Sequence, residues 1–485
     1  MPRRNPRERL HEKKVQRELA GDQGEHIIGA IRLDRVEHQQ GVLAADQQLQ
    51  FGDRIFHAMQ ASTRDTREAI TGDDASHGAE LTSAVGEPDA SPRAWRMLAL
   101  LALAEMLGMA LWFAASAAAP QLTTRWNLSP AQVGGLATAV QLGFVIGTAL
   151  SALLNLADLV PARRLFAVSA VLGAAANLLL ISAASYEWAL VSRVLTGACL
   201  AGVYPPAMKM AATWFRARRG IAIATIVAAL TVGKASPYLW QTLPDLALSV
   251  PIVAASVSAV LAALLVALFW QDGPFAFPSR PFSWGLVGDV VRQPRWRQAT
   301  GGYLGHMAEL YSYWTWIPAF LAASAVAQSG DAAAGRAPWI SVLAFATIAV
   351  GALGCLWGGV MGDRIGRARI ASRVMLASGA IAFTIGLAFG RTPWLVGPLA
   401  LAWGFFVIAD SAQFSTLVTE SVEPHAVGTA LTLQTSLGFL LTTITIQVIP
   451  PLVERVGWQG AFVALGIGPM LGVYALRPLV RAERA

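Results

Sequence analysis

Seven ionisable side chains stand inside long apolar runs of this sequence: Glu105, Arg193, Lys209, Lys234, His306, Glu309 and Asp410. A charge at the centre of a bilayer costs about 2.5 kcal/mol or more, so such residues are functional candidates by default. A carboxyl group in apolar surroundings can load and release a proton near neutral pH. Glu105 or Glu309 is therefore a candidate carrier of coupling protons; the structural alternative is a hydrogen-bonded carboxyl that fastens helices. Arg193 either pairs with a carboxylate such as Glu105 or binds an anionic solute. Lys234 lies about 21 Å along its run, too deep to snorkel easily, and is a solute or coupling candidate. Lys209 is within two turns of the end of its run and can snorkel. Asp410 has Gln413 one turn on. His306 precedes Glu309 by one turn and can share its proton or simply pack. The aromatics Tyr311, Tyr313, Trp314 and Trp316 can stack on an organic solute or serve as interface anchors. The cations favour a small organic anion as solute; if each instead neutralises Glu105 or Glu309, the site is neutral.

Enzymatic chemistry has little to build on. No HExxH, GxSxG or Gly-x-x-x-x-Gly-Lys pattern occurs. Only His306 and His425 fall in the apolar body, and no His/Cys cluster there has metal-ligand spacing. Cys199 and Cys355 lie in apolar runs and read as small buried hydrophobes. No metal and no cofactor is expected.

The elements that must position these charges are membrane helices. The chain has 485 residues, 55% hydrophobic and 14% charged, against about 25% charged in soluble domains. Apolar runs near 97–119, 132–154, 165–184, 187–213, 221–243, 250–270, 299–325, 338–360, 370–389, 394–418, 427–448 and 457–478 each approach the roughly 20 residues that cross the hydrocarbon core. They are continuous, without the alternation of a barrel strand. With residue 96 in the cytoplasm, cytoplasmic segments carry eighteen arginines, Arg163 and Arg164 among them, and outside segments four: Arg125, Arg336, Arg391 and Arg455. That bias supports twelve crossings with both ends inside. It also accounts for the net charge of +7 without a nucleic-acid partner.

Residues 1–92 are different. They hold 12 Lys/Arg and 16 Asp/Glu, against 25 and 14 in the rest of the chain. No apolar stretch follows the basic start, so the segment is not a signal peptide. It reads as a disordered tail, or as the product of a start codon placed too far upstream. Residues 93–271 form one six-helix bundle, 272–298 a cytoplasmic linker and 299–485 a second bundle.

The two bundles resemble each other. Aligning Ala104-Glu105 with Ala308-Glu309 also aligns Trp112 with Trp316, and Asp158 with Arg163-Arg164 falls opposite Asp363 with Arg364 and Arg367. Such parallel repeats are a transporter architecture with the solute site between the halves. The loop Gly358-Gly359-Val360-Met361-Gly362-Asp363-Arg364-Ile365-Gly366-Arg367 packs glycine, carboxylate and arginine into one turn, where Gly366 can take a positive φ. Gly354, Gly358 and Gly362 give the preceding helix a smooth packing face. This loop resembles the signature loop of the major facilitator superfamily. The copy LLNLADLVPARRL keeps Asp158 and the basic pair but has Leu154 and Pro161 where that family usually has glycine. Arg193-x-x-x-Gly197 with Gly202 and Pro205-Pro206 resembles the family's helix-4 motif. The resemblance covers residues 93–485. It implies a monomeric, multi-pass inner-membrane transporter with the two loops, Gly359 included, acting as gates through Asp158 and Asp363.

The reading is an all-α protein of two pseudo-symmetric six-helix bundles that moves a small solute by alternating access, as a proton-coupled symporter. A proton-coupled efflux antiporter is the alternative, although helix 5, IATIVAALTVGKASPYLW, lacks the family's antiporter signature. A non-transporting solute sensor on the same fold is the alternative of another class. Deleting residues 2–90 is expected to leave membrane insertion and transport intact; transport lost with normal insertion would give the tail a role.

Overall fold

The computed structural model describes residues 91–484, apart from 155, 216–217, 244–246, 276–283 and 424–425, and apart from the side chains of 157, 158 and 284. The tail lies outside it, except for Ser91 and Pro92, and so does the side chain of Asp158.

Backbone N–H and C=O groups in hydrocarbon find no water, so a chain this apolar must pair them within each segment. All regular structure among the described residues is accordingly helical. The first elements are α1 (Pro92–Met109), α2 (Ala114–Ala117), α3 (Ala119–Trp126) and α4 (Pro130–Leu153). There follow α5 (Leu156–Leu159), α6 (Ala162–Leu178), α7 (Tyr186–Leu200), α8 (Tyr204–Ala212) and α9 (Arg219–Ala235). Next come α10 (Pro237–Trp240), α11 (Ser249–Phe269), α12 (Trp284–Arg292) and α13 (Pro294–Ser329). The remainder holds α14 (Pro338–Ala349), α15 (Gly351–Ile365), α16 (Arg367–Thr384) and α17 (Pro393–Phe406), then α18 (Ser411–Thr419), α19 (Val427–Ala461) and α20 (Ile467–Ala482).

Local chemistry sets several ends. Ser91 caps α1, its hydroxyl accepting from Ala94 N at 3.2 Å, with Pro92 at the first helical position. Ser129 and Gln132 form a reciprocal capping box at the start of α4. Gly366, at φ 99°, supplies the backbone between α15 and α16 that other residues resist.

Seven helical stretches among the described residues are long and apolar enough to cross a membrane: Pro130–Leu153, Arg219–Trp240, Ser249–Phe269, Pro338–Ile365, Arg367–Ala388, Pro393–Thr419 and Val427–Ala482. The last bends at Gly457, whose φ is 69°. Elements α1, α6, α7 with α8, and α13 fall on the other apolar runs. The linker expected at 272–298 contains α12, and α13 starts at Pro294 rather than 299. Pro294 sets the early start, at the first helical position after an extended Gln293, and the Trp296 indole donates to Ala430 O on α19 at 3.3 Å.

The run expected as one helix over 97–119 breaks after Met109. The reason is Arg193 on α7, which is fully buried and donates to Leu111 O at 2.8 Å and to Asn177 Oδ1 at 2.6 Å. Asn177 passes the contact on, donating to Ser256 Oγ (2.9 Å) and Ile252 O (3.0 Å) on α11. One guanidinium therefore joins α1, α6, α7 and α11. The glycine face of α15 packs as its spacing predicts. A Cβ at Gly354, Gly358 or Gly362 would collide with Phe405 O, Ala409 O or the Gln413 side chain on the α17–α18 segment.

Replacing Arg193 by Leu strands two buried acceptors and should cost about 3 kcal/mol of stability. A lower unfolding temperature in detergent is the expected result, and an unchanged one would show that the break after Met109 does not depend on this guanidinium.

Candidate functional site

A cavity of about 810 Å³ runs into the protein from one end. Its mouth carries Arg218, Asp363 and Arg364, all exposed, and its floor carries Lys234, which is buried. Lys234 lies fifteen residues after the first residue of α9, about 22 Å from the mouth at 1.5 Å per residue. One wall is hydroxyl-rich, with Ser411, Ser415, Thr416 and Thr419 from α18 and Thr432 and Thr435 from α19.

The floor is an aromatic cage around an ammonium group. The Lys234 Nζ stands 3.8 Å from the Trp112 ring centre, 4.6 Å from that of Tyr311 and 5.0 Å from that of Trp314. It also donates to the Tyr311 hydroxyl. Ring faces attract cations by about 2 kcal/mol once water is removed, which offsets part of the cost of burying the lysine. Phe439 from α19 joins the cage, 5.1 Å from Tyr311, 5.5 Å from Trp112 and 4.5 Å from Phe144 on α4. Several polar groups on the lining have no hydrogen-bond partner among the described residues: Trp112 Nε1, Trp314 Nε1, Thr148 Oγ1 and both amide atoms of Gln434. Buried polar atoms are normally satisfied, so these groups stand out on the residues that line the cavity.

Beyond the floor the chain closes. Trp316 donates to Ile446 O at 2.9 Å, and its ring lies against Gly134, where a Cβ would stand 2.8 Å away. The Gln447 amide meets Thr138 Oγ1 at 3.1 Å, and Phe113 packs edge-on to Trp314 at 6.3 Å. These contacts join α1–α4 to α13 and α19.

The expected site residues within the helices divide by whether they reach the cavity. Lys234 and Tyr311 line the cavity; Glu105, Arg193, Glu309, Asp410 and Trp316 do not. Arg193, expected to meet a carboxylate or an anionic solute, instead serves the Leu111 carbonyl and Asn177. Glu309 accepts from Ser378 Oγ and Trp403 Nε1, each at 2.8 Å. Its repeat partner Glu105 is as deeply buried, yet neither of its oxygens has a hydrogen-bond partner among the described residues. His306 does not meet Glu309 through its ring Nδ1. That atom lies 2.8 Å from Asp410 Oδ1, while Gln413 turns away to Gly358 O (3.0 Å).

The loop after α15 sits at the mouth. Arg367 reaches Asp363 (3.4 Å) and Glu420 just after α18 (3.0 Å), and both acids are largely exposed, so these pairs contribute little energy. A Cβ placed at Gly220, on the first turn of α9, would stand 3.9 Å from Asp363 Oδ2, which puts the carboxylate near a helix N-terminus that favours negative charge. Gly359 lets α15 approach Ala224 of α9. At the start of α16, Glu483 from just after α20 accepts from Ala368 N (2.7 Å) and Arg369 N (3.0 Å). In the other loop, Arg163 reaches Trp270 O at 3.5 Å and Arg164 is exposed. Trp112, Phe144, Gln434 and Phe439 are site residues that the charges alone do not single out. Gln434 carries a sequence signal, as an amide in an apolar run; the aromatics carry none.

The sequence pattern of the Major Facilitator Superfamily matches residues 101–446. The chain belongs to that superfamily. It is a multi-pass membrane protein of a fold and family devoted to moving solutes. A crystal structure of a variant of the nucleoside transporter NupG has the same fold: TM-score 0.60, 15% identity, with 79% of this chain and 99% of the other covered. No curated protein matches the sequence.

The two glutamates should respond differently to substitution. Glu309→Ala removes two buried hydrogen bonds and should cost about 2 kcal/mol or more, whereas Glu105→Gln loses no hydrogen bond and should leave the unfolding temperature unchanged or raise it. Thermal unfolding in detergent reads both; equal losses would mean that Glu105 is held by contacts as strong as those on Glu309.

Proposed function

We propose that the protein moves a small organic anion across the membrane by alternating access, with protons as the coupling ion. The observation that carries this reading is the cavity itself, which descends from an arginine-rich mouth to a buried lysine and stops at a sealed layer. A solute entering from the mouth meets cations and hydroxyls, then a floor from which the far side is closed. Rocking of residues 93–271 against 299–485 would open the Trp316–Gly134 and Gln447–Thr138 layer and close the mouth.

In this reading the chain crosses the membrane twelve times. The seven long spans supply eight crossings, since Val427–Ala482 folds back at Gly457, and α1, α6, α7 with α8, and α13 supply the rest. The mouth faces the cytoplasm, as the arginine bias favours. The protein acts as a monomer in the plasma (inner) membrane. Glu105 and Glu309 carry the protons, one in each bundle, with the His306–Asp410 pair in the same bundle as the second. Symport is preferred to drug antiport because the antiporter pattern is missing from α9.

A neutral planar solute is the second reading. Nucleoside transport by the structural relative and the aromatic floor here both favour it.

The test is purified protein in liposomes containing a pH-sensitive dye, challenged with benzenesulfonate, succinate, uridine and glucose. An anion should enter together with protons. Glu105→Gln or Glu309→Gln should abolish the proton signal while solute exchange continues. Unchanged proton signals in both variants would remove these carboxyls from coupling. Binding without any flux would favour a sensor, and proton movement opposite to the solute an antiporter.

A further inference from the structure

We infer that the solute is a planar aryl monoanion, a carboxylate or sulfonate on an aromatic ring, held with its charged group on Lys234 and its ring against Tyr311 and Phe439. This deepens the transport reading and rests on the same cavity.

The Lys234 ammonium stands at the floor over the rings of Trp112 and Trp314, whose centres lie 3.8 and 5.0 Å from it. Neither indole N–H has an acceptor among the described residues. No carboxylate lies within 4 Å of the ammonium among them either, and the lining holds a single acid, Asp363, at the distant mouth. The ammonium's hydrogen-bond acceptor among the described residues is the Tyr311 hydroxyl, and Glu105, the acid whose charge reaches it, lies outside the lining. A compact anion with two or three oxygens supplies the ammonium with further acceptors and with a countercharge on the cavity side, and charge-assisted hydrogen bonds are the strong ones.

The rest of the solute is specified by what surrounds that ammonium. The ring centres of Tyr311 and Phe439 stand 5.1 Å apart at an interplanar angle of 61°. They leave flat faces and edges rather than the rounded surface that a branched aliphatic chain would fill. Offset and edge-on contacts with such rings reward a planar aromatic body. A second negative group would have to sit among apolar walls or hydroxyls, since the remaining cations of the lining are at or toward the mouth; one charge is therefore the match.

The experiment uses the full chain in detergent, with binding followed by thermal shift and calorimetry. The probes are benzoate and benzenesulfonate, the neutral isosteres benzamide and benzenesulfonamide, the ringless methanesulfonate, cyclohexanecarboxylate, and uridine. The aryl anions should bind about 30-fold tighter than their neutral isosteres, as expected for charged hydrogen bonds. Benzoate should bind about 5-fold tighter than cyclohexanecarboxylate, as expected for ring-on-ring contact. Lys234→Gln should erase the preference for the anions but spare binding of the amides. Equal affinity for anion and isostere, tighter binding of uridine than of any anion, or no binding of the aryl anions at 10 mM (roughly the weakest affinity that counts as recognition) would overturn the inference. The transport reading fails separately. If the aryl anions bind as described but benzenesulfonate does not cross the liposome membrane, the substrate class stands and transport falls. If uridine crosses and the aryl anions do not bind, transport stands and the substrate class falls.

Discussion

Inside hydrocarbon no water completes a hydrogen bond, and this one constraint organises the molecule. It forces the backbone into helices, and it makes a departure from helix an event that a side-chain donor can stabilise. The clearest departure is at 110–113, where α1 gives way to α2. The Leu111 carbonyl released there is taken by Arg193 from α7. The break matters beyond its own turn. It lies at Trp112, whose ring covers Lys234. The guanidinium that looks like a solute ligand in the sequence is thus a support for the floor of the cavity, acting one element removed from it.

The same constraint separates residues that the internal repeat makes equivalent. Glu105 and Glu309 occupy matching positions and are equally buried. Glu309 has Ser378 and Trp403 on neighbouring helices; Glu105 has no hydrogen-bonding neighbour among the described residues. Trp112 and Trp316 also match in the repeat, yet one lines the cavity floor and the other seals the layer beyond it. A duplicated framework supplies two copies of each position. The partners that surround each copy then give it a separate task, because a buried polar group acts according to what it is bonded to.

Charge is graded along the cavity. The mouth holds Arg218, Arg219, Arg364 and Arg367 around Asp363, in contact with water where pairing is cheap to make and break. The floor holds one ammonium among aromatic rings, where the same unit charge interacts far more strongly. A solute moving inward exchanges weak, screened attraction for a short-range site. The loop that carries Asp363 lies against the first turn of α9, and Lys234 is on the last turn of the same helix, so one helix reaches from mouth to floor.

Much of this was legible in the residues themselves. Apolar runs and arginine bias determine that the chain is a bundle of membrane helices, because the cost of charge and of unpaired backbone in lipid acts locally on each segment. The loop from Gly358 to Arg367 announces its family because a tight turn with glycine at positive φ tolerates few sequences. Lys234 and Glu105 stand out because an ionisable group in an apolar run is expensive wherever its helix lies. What the residues could not determine is which groups meet. That Arg193 serves a carbonyl, that His306 faces Asp410 rather than Glu309, and that Trp112, Tyr311, Trp314 and Phe439 gather around one lysine depends on the rotation and crossing of helices hundreds of residues apart. Those are set by packing of whole faces, such as the glycine side of α15, and packing is a property of the assembled helices, not of any one segment.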